Sequence, residues 1–199
     1  MNKNLIGIEY NKEHNYRLYH SPFVLQHQQE FINHSKFAYN LYCNIHKNKE
    51  STWGYLNYNI FGLAVGSPHY FTLFQQVTAA CRDWHQKDEP MWLQAWINYH
   101  TPEQVLKWHN HYDCTLHGYV SIDPKNTSTR FEKFSIKNVT GNIYVGAPLL
   151  HHEVIVHEDF DTPRITLAFQ ALGMEGFNQL TKNWSEERWS EIYTSNIPF

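Results

Sequence analysis

The feature that most constrains the fold is a run of short apolar segments that begins after Pro90. The segments are rich in β-branched and aromatic residues, and residues typical of turns separate them about every ten positions. They read MWLQAWINYH, TLHGYVSID, FEKFSIKNV, GNIYVGAPL, HHEVIVHED and RITLAFQAL. This spacing leaves no room for a helix between successive strands, as βαβ units would require. We therefore expect a β-sandwich or barrel over about residues 91–170.

The sequence before this run has the periodicity of helices. Apolar side chains recur at helical spacing over residues 25–47. They include Phe31, Ala38, Leu41 and Ile45. Ser67 and Pro68 are typical of an N-cap followed by proline in the first turn, and an apolar stripe continues to about Gln86. We therefore predict two helices with core-facing stripes.

A chain of 199 residues suits one domain with a sizeable core. The predicted fold class is α+β, mainly β. Its parts are a helical region over about 1–90, a β core over about 91–170 and an extension over about 171–199. In the extension, Ser185 is predicted to cap a short helix that carries Trp189 and Ile192.

The composition argues against several classes of partner. Sixteen Lys and Arg against 19 Asp and Glu give a net charge of −3, which does not support a nucleic-acid partner held by phosphate neutralisation. Three scattered cysteines without a C-x-x-C pattern predict reduced thiols in the cytoplasm. The N-terminal segment is polar, and no apolar run approaches the roughly 18 residues of a membrane span, so we expect neither a signal peptide nor a membrane partner.

Histidine is frequent, and half of the 14 histidines lie between His100 and His157. In the stretch WHNHYDCTLHGYVSID, His111 and Asp113 are two residues apart, so on a strand their side chains would face the same way. An imidazole and a carboxylate placed side by side can occupy neighbouring positions on one metal ion. An isolated His-x-Asp is common by chance, and the order of the features that follow it favours a metal site.

A third ligand must come from another strand, and LLHHEVIVHED offers His151, His152 and His157. Two histidines and one carboxylate on one face of an octahedral ion leave three positions free, which suits ferrous iron that binds a co-substrate and oxygen. His109 would share the strand face of His111 and is therefore a rival first ligand.

Several sequence pieces occur in a characteristic order. They are HNHYD with LHGYV (109–113 and 116–120), GNIYV with LHHEV (141–145 and 150–154), RITLAF (164–169) and, more weakly, STWGY (51–55) and WIN (96–98). Together they resemble motifs of a set of prolyl-hydroxylase-like 2-oxoglutarate/Fe(II)-dependent oxygenases, many of them from phages and marine bacteria. The resemblance covers about residues 51–170.

The resemblance implies a double-stranded β-helix, a jelly-roll barrel of two sheets whose mouth holds iron. It implies His152 as the distal ligand, because Val154 and Arg164 follow it at the family's offsets. The implied metal-binding and catalytic set is therefore His111, Asp113 and His152. His151 would face the other way on its strand, and His157 is expected on the surface or in a loop.

The resemblance also implies a pocket for 2-oxoglutarate. Arg164 would grip the far carboxylate of this co-substrate, since a guanidinium can bind a carboxylate bidentately. Thr166 would add a hydroxyl group, and Asn98 would touch the co-substrate or the substrate. Related enzymes usually carry a tyrosine where this chain has Ser121. The groups left to fill that place are a water molecule, Tyr119 and Tyr144.

The implied reaction hydroxylates a C–H bond, with Fe(II), 2-oxoglutarate and O2 as cofactors and co-substrates and with release of succinate and CO2. The substrate is not readable from the sequence: a protein or peptide side chain, a free amino acid and a small metabolite all remain open. The oligomeric state is equally open, a homodimer included. The expected location is the cytoplasm, or the host cytoplasm if the chain is viral.

Three other interpretations remain. One is a cupin-like dioxygenase or isomerase that uses Mn or Zn on the same barrel, against which Asp113 and Arg164 argue. Another is a non-catalytic jelly roll, either capsid-like or sugar-binding, which would need neither convergent ligands nor a buried arginine. The third is a degenerate oxygenase that binds metal without turnover.

Overall fold

The computed structural model describes residues 5–182 and 195–199. The helices and strands, in chain order, are β1 (Ile6–Asn11), β2 (Tyr16–His20), α1 (Pro22–Gln26), α2 (Gln28–His46), α3 (Ile60–Leu63), α4 (Pro68–His85), β3 (Met91–His100), β4 (Leu116–Asp123), β5 (Thr127–Phe131), β6 (Ser135–Lys137), β7 (Asn142–Gly146), β8 (His152–Val156), β9 (Arg164–Gly173), α5 (Met174–Thr181) and β10 (Asn196–Pro198). The predicted helix with Ser185, Trp189 and Ile192 lies outside these residues. None of the helices described is long and apolar enough to cross a bilayer.

The strands form two sheets in which every pairing is antiparallel. The large sheet has the order β1-β2-β7-β4-β9-β3-β10, and the small sheet has the order β6-β5-β8. A backbone bridge between His109 and His152 extends the small sheet beyond β8. From β3 to β9 the chain passes repeatedly between the sheets, and this path is the double-stranded β-helix or jelly roll. The predicted fold class is confirmed.

The helical layer covers one face of the large sheet. The first predicted helix is in fact two, because Ser21 caps α1 and His27 ends it before α2 begins. The start predicted for α4 is confirmed: Ser67 Oγ accepts from the Tyr70 amide at 3.3 Å, and Pro68 follows in the first turn. Apolar residues of both long helices share one core with the large sheet.

The sequence pattern missed the hairpin of β1 and β2, which lies within the region predicted as helical. Ile6, Ile8 and Tyr10 alternate along β1 as in a strand, but five of its six residues are exposed, so these apolar side chains mark no buried face. In β2, Tyr16 and Leu18 face the barrel interior with Tyr144, and Tyr19 faces the helical core. The hairpin therefore extends the large sheet beyond the predicted β core.

Strand alternation in β4 and β9 separates two environments. Val120, Ile122, Leu167 and Phe169 face the helices and join the apolar core. The intervening residues of both strands face the barrel interior, and several of them line a cavity between the sheets. The members from these two strands include His117, Tyr119, Arg164 and Thr166. The polar interior of the barrel is where a ligand site is to be sought.

Candidate functional site

Three histidines converge at one end of this cavity. His109, His111 and His152 each offer a ring nitrogen, and these atoms lie within 4.8 Å of one another. The amide of His109 donates to the carbonyl of His152 at 3.1 Å, and the reverse bond measures 2.9 Å. This bridge holds the two imidazoles side by side, with ring centroids 4.3 Å apart.

Backbone carbonyls fix the orientation of two of these rings. Nδ1 of His109 lies 2.7 Å from the carbonyl oxygen of Lys107, and Nδ1 of His152 lies 2.9 Å from that of Leu150. A neutral imidazole that donates through Nδ1 presents Nε2 as a lone-pair donor, and metal-bound histidines are usually held in this way.

Burial keeps these rings in the form that a metal requires. Desolvation lowers the pKa of His111 to about 4 and that of His152 to about 3, and it also lowers the pKa of His109. Burial disfavours the charged imidazolium, so all three imidazoles are neutral at physiological pH. Only the neutral ring can donate a lone pair to a metal ion.

The imidazole of His117, which the sequence motifs did not identify as a ligand, lies against this group. His117 on β4 is 2 % exposed, and its ring centroid lies 4.8 Å from those of both His111 and His152. Within the described part of the chain its Nε2 atom has no hydrogen-bond partner. A buried polar nitrogen without a partner is costly, so this atom fits a site that holds an ion or its bound water. The sequence feature that could have identified His117 is the alternation of the polar residues His117, Tyr119 and Ser121, which puts them on one face of a strand.

Asp113 does not lie with these histidines. The expectation that His111 and Asp113 share the face of a regular strand is wrong, because β4 begins only at Leu116 and residues 110–115 form coil and bends. Asp113 is exposed in that segment, whereas His109, the rival first ligand, lies in the converging group. The converging donor set therefore consists of imidazole nitrogens.

The other two histidines of the segment LLHHEVIVHED, His151 and His157, lie outside the converging group. His151 is half exposed, with Nδ1 3.5 Å from a carboxylate oxygen of Glu132. His157 is exposed just beyond β8, and its Nε2 lies 2.9 Å from Ser128 Oγ. His152 is the member of this segment that faces the cavity.

Arg164 lines the same cavity from the start of β9. It is 2 % exposed, and its guanidinium donates to Thr166 Oγ1 at 3.2 Å and to Thr127 Oγ1 at 3.4 Å. Burial lowers its pKa to about 10. Among the described residues it has no carboxylate partner. An uncompensated buried cation is costly, so this position fits an anionic ligand.

The groups around Arg164 are polar but uncharged. Asn98 Nδ2 donates to Thr166 Oγ1 at 3.2 Å, and Thr52 Oγ1 donates to Asn98 Oδ1 at 2.9 Å. Thr52 Oγ1 also lies 2.7 Å from Nε2 of His100, whose pKa falls to about 4 through burial and the nearby charge of Arg164. These groups can hydrogen-bond a carboxylate without neutralising the arginine.

Ser121 and the two candidate tyrosines occupy different places. Ser121 is fully buried opposite Thr166, but it does not line the cavity, and its Oγ lacks a partner within the residues described. Tyr119 lines the cavity and stacks on Tyr144 at 5.2 Å. Tyr119 is therefore the tyrosine placed to act beside Arg164.

Comparisons with known proteins add little to this geometry. No family model matches the chain, and no curated protein matches it. Among solved structures, the non-haem monooxygenase ThoJ, in complex with nickel, matches with 11% identity over 74% of this chain and 69% of that one, with a TM-score of 0.47. A cupin-2 domain containing protein from Shewanella frigidimarina matches with 19% identity over 38% of this chain and 68% of that one, with a TM-score of 0.29. Both likenesses are distant, and the jelly roll is established by the strand order itself.

Proposed function

We propose that this chain is a mononuclear non-haem iron(II) oxygenase that consumes 2-oxoglutarate and hydroxylates a C–H bond of an unidentified substrate. The observation that carries the proposal is a single cavity with two unlike ends. One end gathers neutral imidazoles, and the other holds a buried guanidinium without a carboxylate partner in the described chain. 2-Oxoglutarate has a keto-acid end that chelates a metal and a far carboxylate that needs a cation, so its two ends match those of the cavity.

His109, His111 and His152 would hold the metal. Imidazole donors suit iron, although they also suit zinc, copper and nickel. Three protein ligands leave positions of an octahedral ion free for the two oxygens of a keto acid and for O2. Bound iron would supply oxygen activation, with one oxygen atom entering the substrate and the other entering succinate as 2-oxoglutarate loses CO2.

The chain's own residues would bind and orient the co-substrate. Arg164 would bind its far carboxylate, and Thr166 and Thr127 hold the guanidinium in place by accepting from it. Asn98 would hold the hydroxyl of Thr166 in position, through the hydrogen bond already described. Apolar side chains of Trp96, Leu106 and Val154 also line the cavity and would limit the access of water.

Turnover of 2-oxoglutarate tests this proposal. Purified protein with Fe(II), ascorbate and O2 should convert 2-oxoglutarate to succinate, slowly without substrate and faster with it. Arg164→Met should raise the KM for 2-oxoglutarate with iron still bound, because only the carboxylate contact is removed. Iron binding with no succinate formed, and no weakening of 2-oxoglutarate binding by Arg164→Met, would contradict the proposal.

One observation favours a second candidate, a cupin-like metal protein that does not use 2-oxoglutarate. The converging donor set contains imidazoles and no carboxylate among the described residues. On this alternative the metal, Mn or Zn included, binds a substrate or none, and Arg164 holds an anionic group of that substrate. Metal binding that is unaffected by 2-oxoglutarate would favour the alternative.

A further inference from the structure

A second group of metal-binding side chains lies in the helical layer, apart from the barrel cavity. His27, Glu30 and His69 place a nitrogen, a carboxylate oxygen and a nitrogen within 4.8 Å of one another. His27 stands at the break between α1 and α2, Glu30 lies in the first turn of α2, and His69 lies in the first turn of α4. The group thus joins the consecutive helices α1 and α2 to the start of α4, much later in the chain.

The members converge without satisfying one another. Nδ1 of His27 lies 3.8 Å from Oε1 of Glu30, which is too long for a hydrogen bond. The imidazole centroids of His27 and His69 are 4.8 Å apart. Nδ1 of His69 is buried and has no hydrogen-bond partner among the residues described. A simple ion pair would leave His69 unused, whereas a shared ion would use all three groups.

The surroundings hold the imidazoles in place. Phe23 packs on His27 with centroids 4.6 Å apart and on His69 at 5.8 Å, and Phe31 contacts His69 at 5.9 Å. These aromatic walls restrict the ring positions. The N-terminal ends of α2 and α4 disfavour a cation, and the carboxylate of Glu30 offsets that effect.

We propose that His27, Glu30 and His69 form a second divalent-metal site that binds Zn²⁺ and ties the junction of α1 and α2 to the start of α4. Two imidazole nitrogens and one carboxylate oxygen are typical zinc donors, with water in a fourth position. His34 lies one turn beyond Glu30, with its ring 5.9 Å from that of His69, and is a candidate for a fourth ligand. This site is independent of the proposed oxygenase activity.

The test is a calorimetric titration of untagged, metal-free protein with Zn²⁺. His109→Ala with His152→Ala removes the barrel cluster, so that it cannot compete. We expect one equivalent of Zn²⁺ to bind this background. His69→Gln, His27→Gln and Glu30→Gln should each weaken binding by at least about tenfold, since even the loss of an outer-shell partner has an effect of that size. His46→Gln, at the other end of α2, is the matched control and should bind normally.

A chain that binds no Zn²⁺ in this background, or one whose binding survives His69→Gln, would overturn the proposal. Circular dichroism first establishes that the background is folded. If it is not, the wild-type chain is titrated instead, and two equivalents should fall to one in His69→Gln. Equal stoichiometry in those two proteins would equally overturn the proposal.

Discussion

The two faces of the large sheet are built from the same strands but differ in chemistry. On the face toward the helices, residues such as Leu167 and Phe169 are fully buried in a continuous apolar core. On the face toward the barrel, Arg164 and His117 are as deeply buried, but they carry polar atoms that the described residues leave unpaired or uncompensated. The first face therefore supplies stability, whereas the second buries polar groups at a cost in stability, which is expected of a face that binds a ligand.

The largest expected effect is the loss of the metal from the barrel face. His152→Ala removes one of three converging nitrogens, and we expect Fe(II) binding and 2-oxoglutarate turnover to fall by at least about a hundredfold. Asp113→Asn is the matched control, since Asp113 is exposed and outside the group, and it should retain both. Anaerobic iron titration with a succinate assay measures this. Loss of iron in Asp113→Asn with retention in His152→Ala would reverse the ligand assignment.

On the helical face, Phe169→Ala should reduce stability without removing the site. The Phe169 ring is fully buried and packs over Gly118, where an added Cβ would lie 2.3 Å from it. We expect the free energy of unfolding to fall by about 3–5 kcal/mol, as for other buried phenylalanines. Urea unfolding measures this, and the folded fraction should still bind one iron in the barrel. An unchanged unfolding midpoint would show that the two faces do not differ as described.

On the barrel face, Arg164→Met should increase the stability of the ligand-free protein and abolish the binding of 2-oxoglutarate. Phe169→Ala, in contrast, should reduce stability and leave the site in place. The partners of Arg164 keep other hydrogen bonds, since Thr166 accepts from Asn98 and Thr127 donates to the carbonyl of Pro124 at 2.6 Å. Removing an uncompensated buried charge should therefore raise the stability of the ligand-free protein by about 1 kcal/mol or more. The same variant should lose binding of 2-oxoglutarate. Thermal unfolding with and without 2-oxoglutarate measures both, and a destabilised ligand-free variant would argue that Arg164 has a structural role.

The remaining effect concerns the pH dependence of the barrel face. The pKa of His100 is lowered to about 4 in the folded protein, against about 6.5 when unfolded. Stability from the neutral ring is present above pH 6.5 and is lost as the pH falls toward 4, by about 1.4 kcal/mol per pH unit. His100→Gln should reduce the slope of the unfolding free energy against pH between pH 6.5 and 4 by the amount that corresponds to one proton. An unchanged slope in urea unfolding between pH 6.5 and 4 would contradict this.

The sequence predicts the barrel core because its segments are short, rich in β-branched and aromatic residues, and separated by turn residues at regular intervals. The segments from Met91 to Gly173 form a barrel of two sheets, as their spacing predicts, and its jelly-roll topology is the one that the family resemblance implies. The hairpin of β1 and β2 was missed because it is short and lies within the region predicted as helical, far along the chain from the other β segments, even though Ile6, Ile8 and Tyr10 alternate along β1. The break at His27 was missed because the residues on either side of it are both helical.

The candidate site was less predictable than the fold, and for a local reason. The pairing of His111 with Asp113 assumed strand geometry, whereas the chain there is irregular and turns Asp113 to solvent. His109 enters the group through its backbone bridge with His152, a contact 43 residues apart in sequence that no local pattern reveals. Arg164 and Thr166 lie two residues apart on the regular strand β9, so alternation alone predicts that they face the same way, and both line the cavity.

The most direct test of the central proposal is an anaerobic titration of the Fe(II)-loaded protein with 2-oxoglutarate, followed by visible absorption. A keto acid that chelates ferrous iron gives a charge-transfer band, and we expect this band to saturate at one 2-oxoglutarate per chain. In Arg164→Met the band should appear only at much higher concentrations. A loaded protein that develops no band at any concentration would contradict the assignment of 2-oxoglutarate to this cavity.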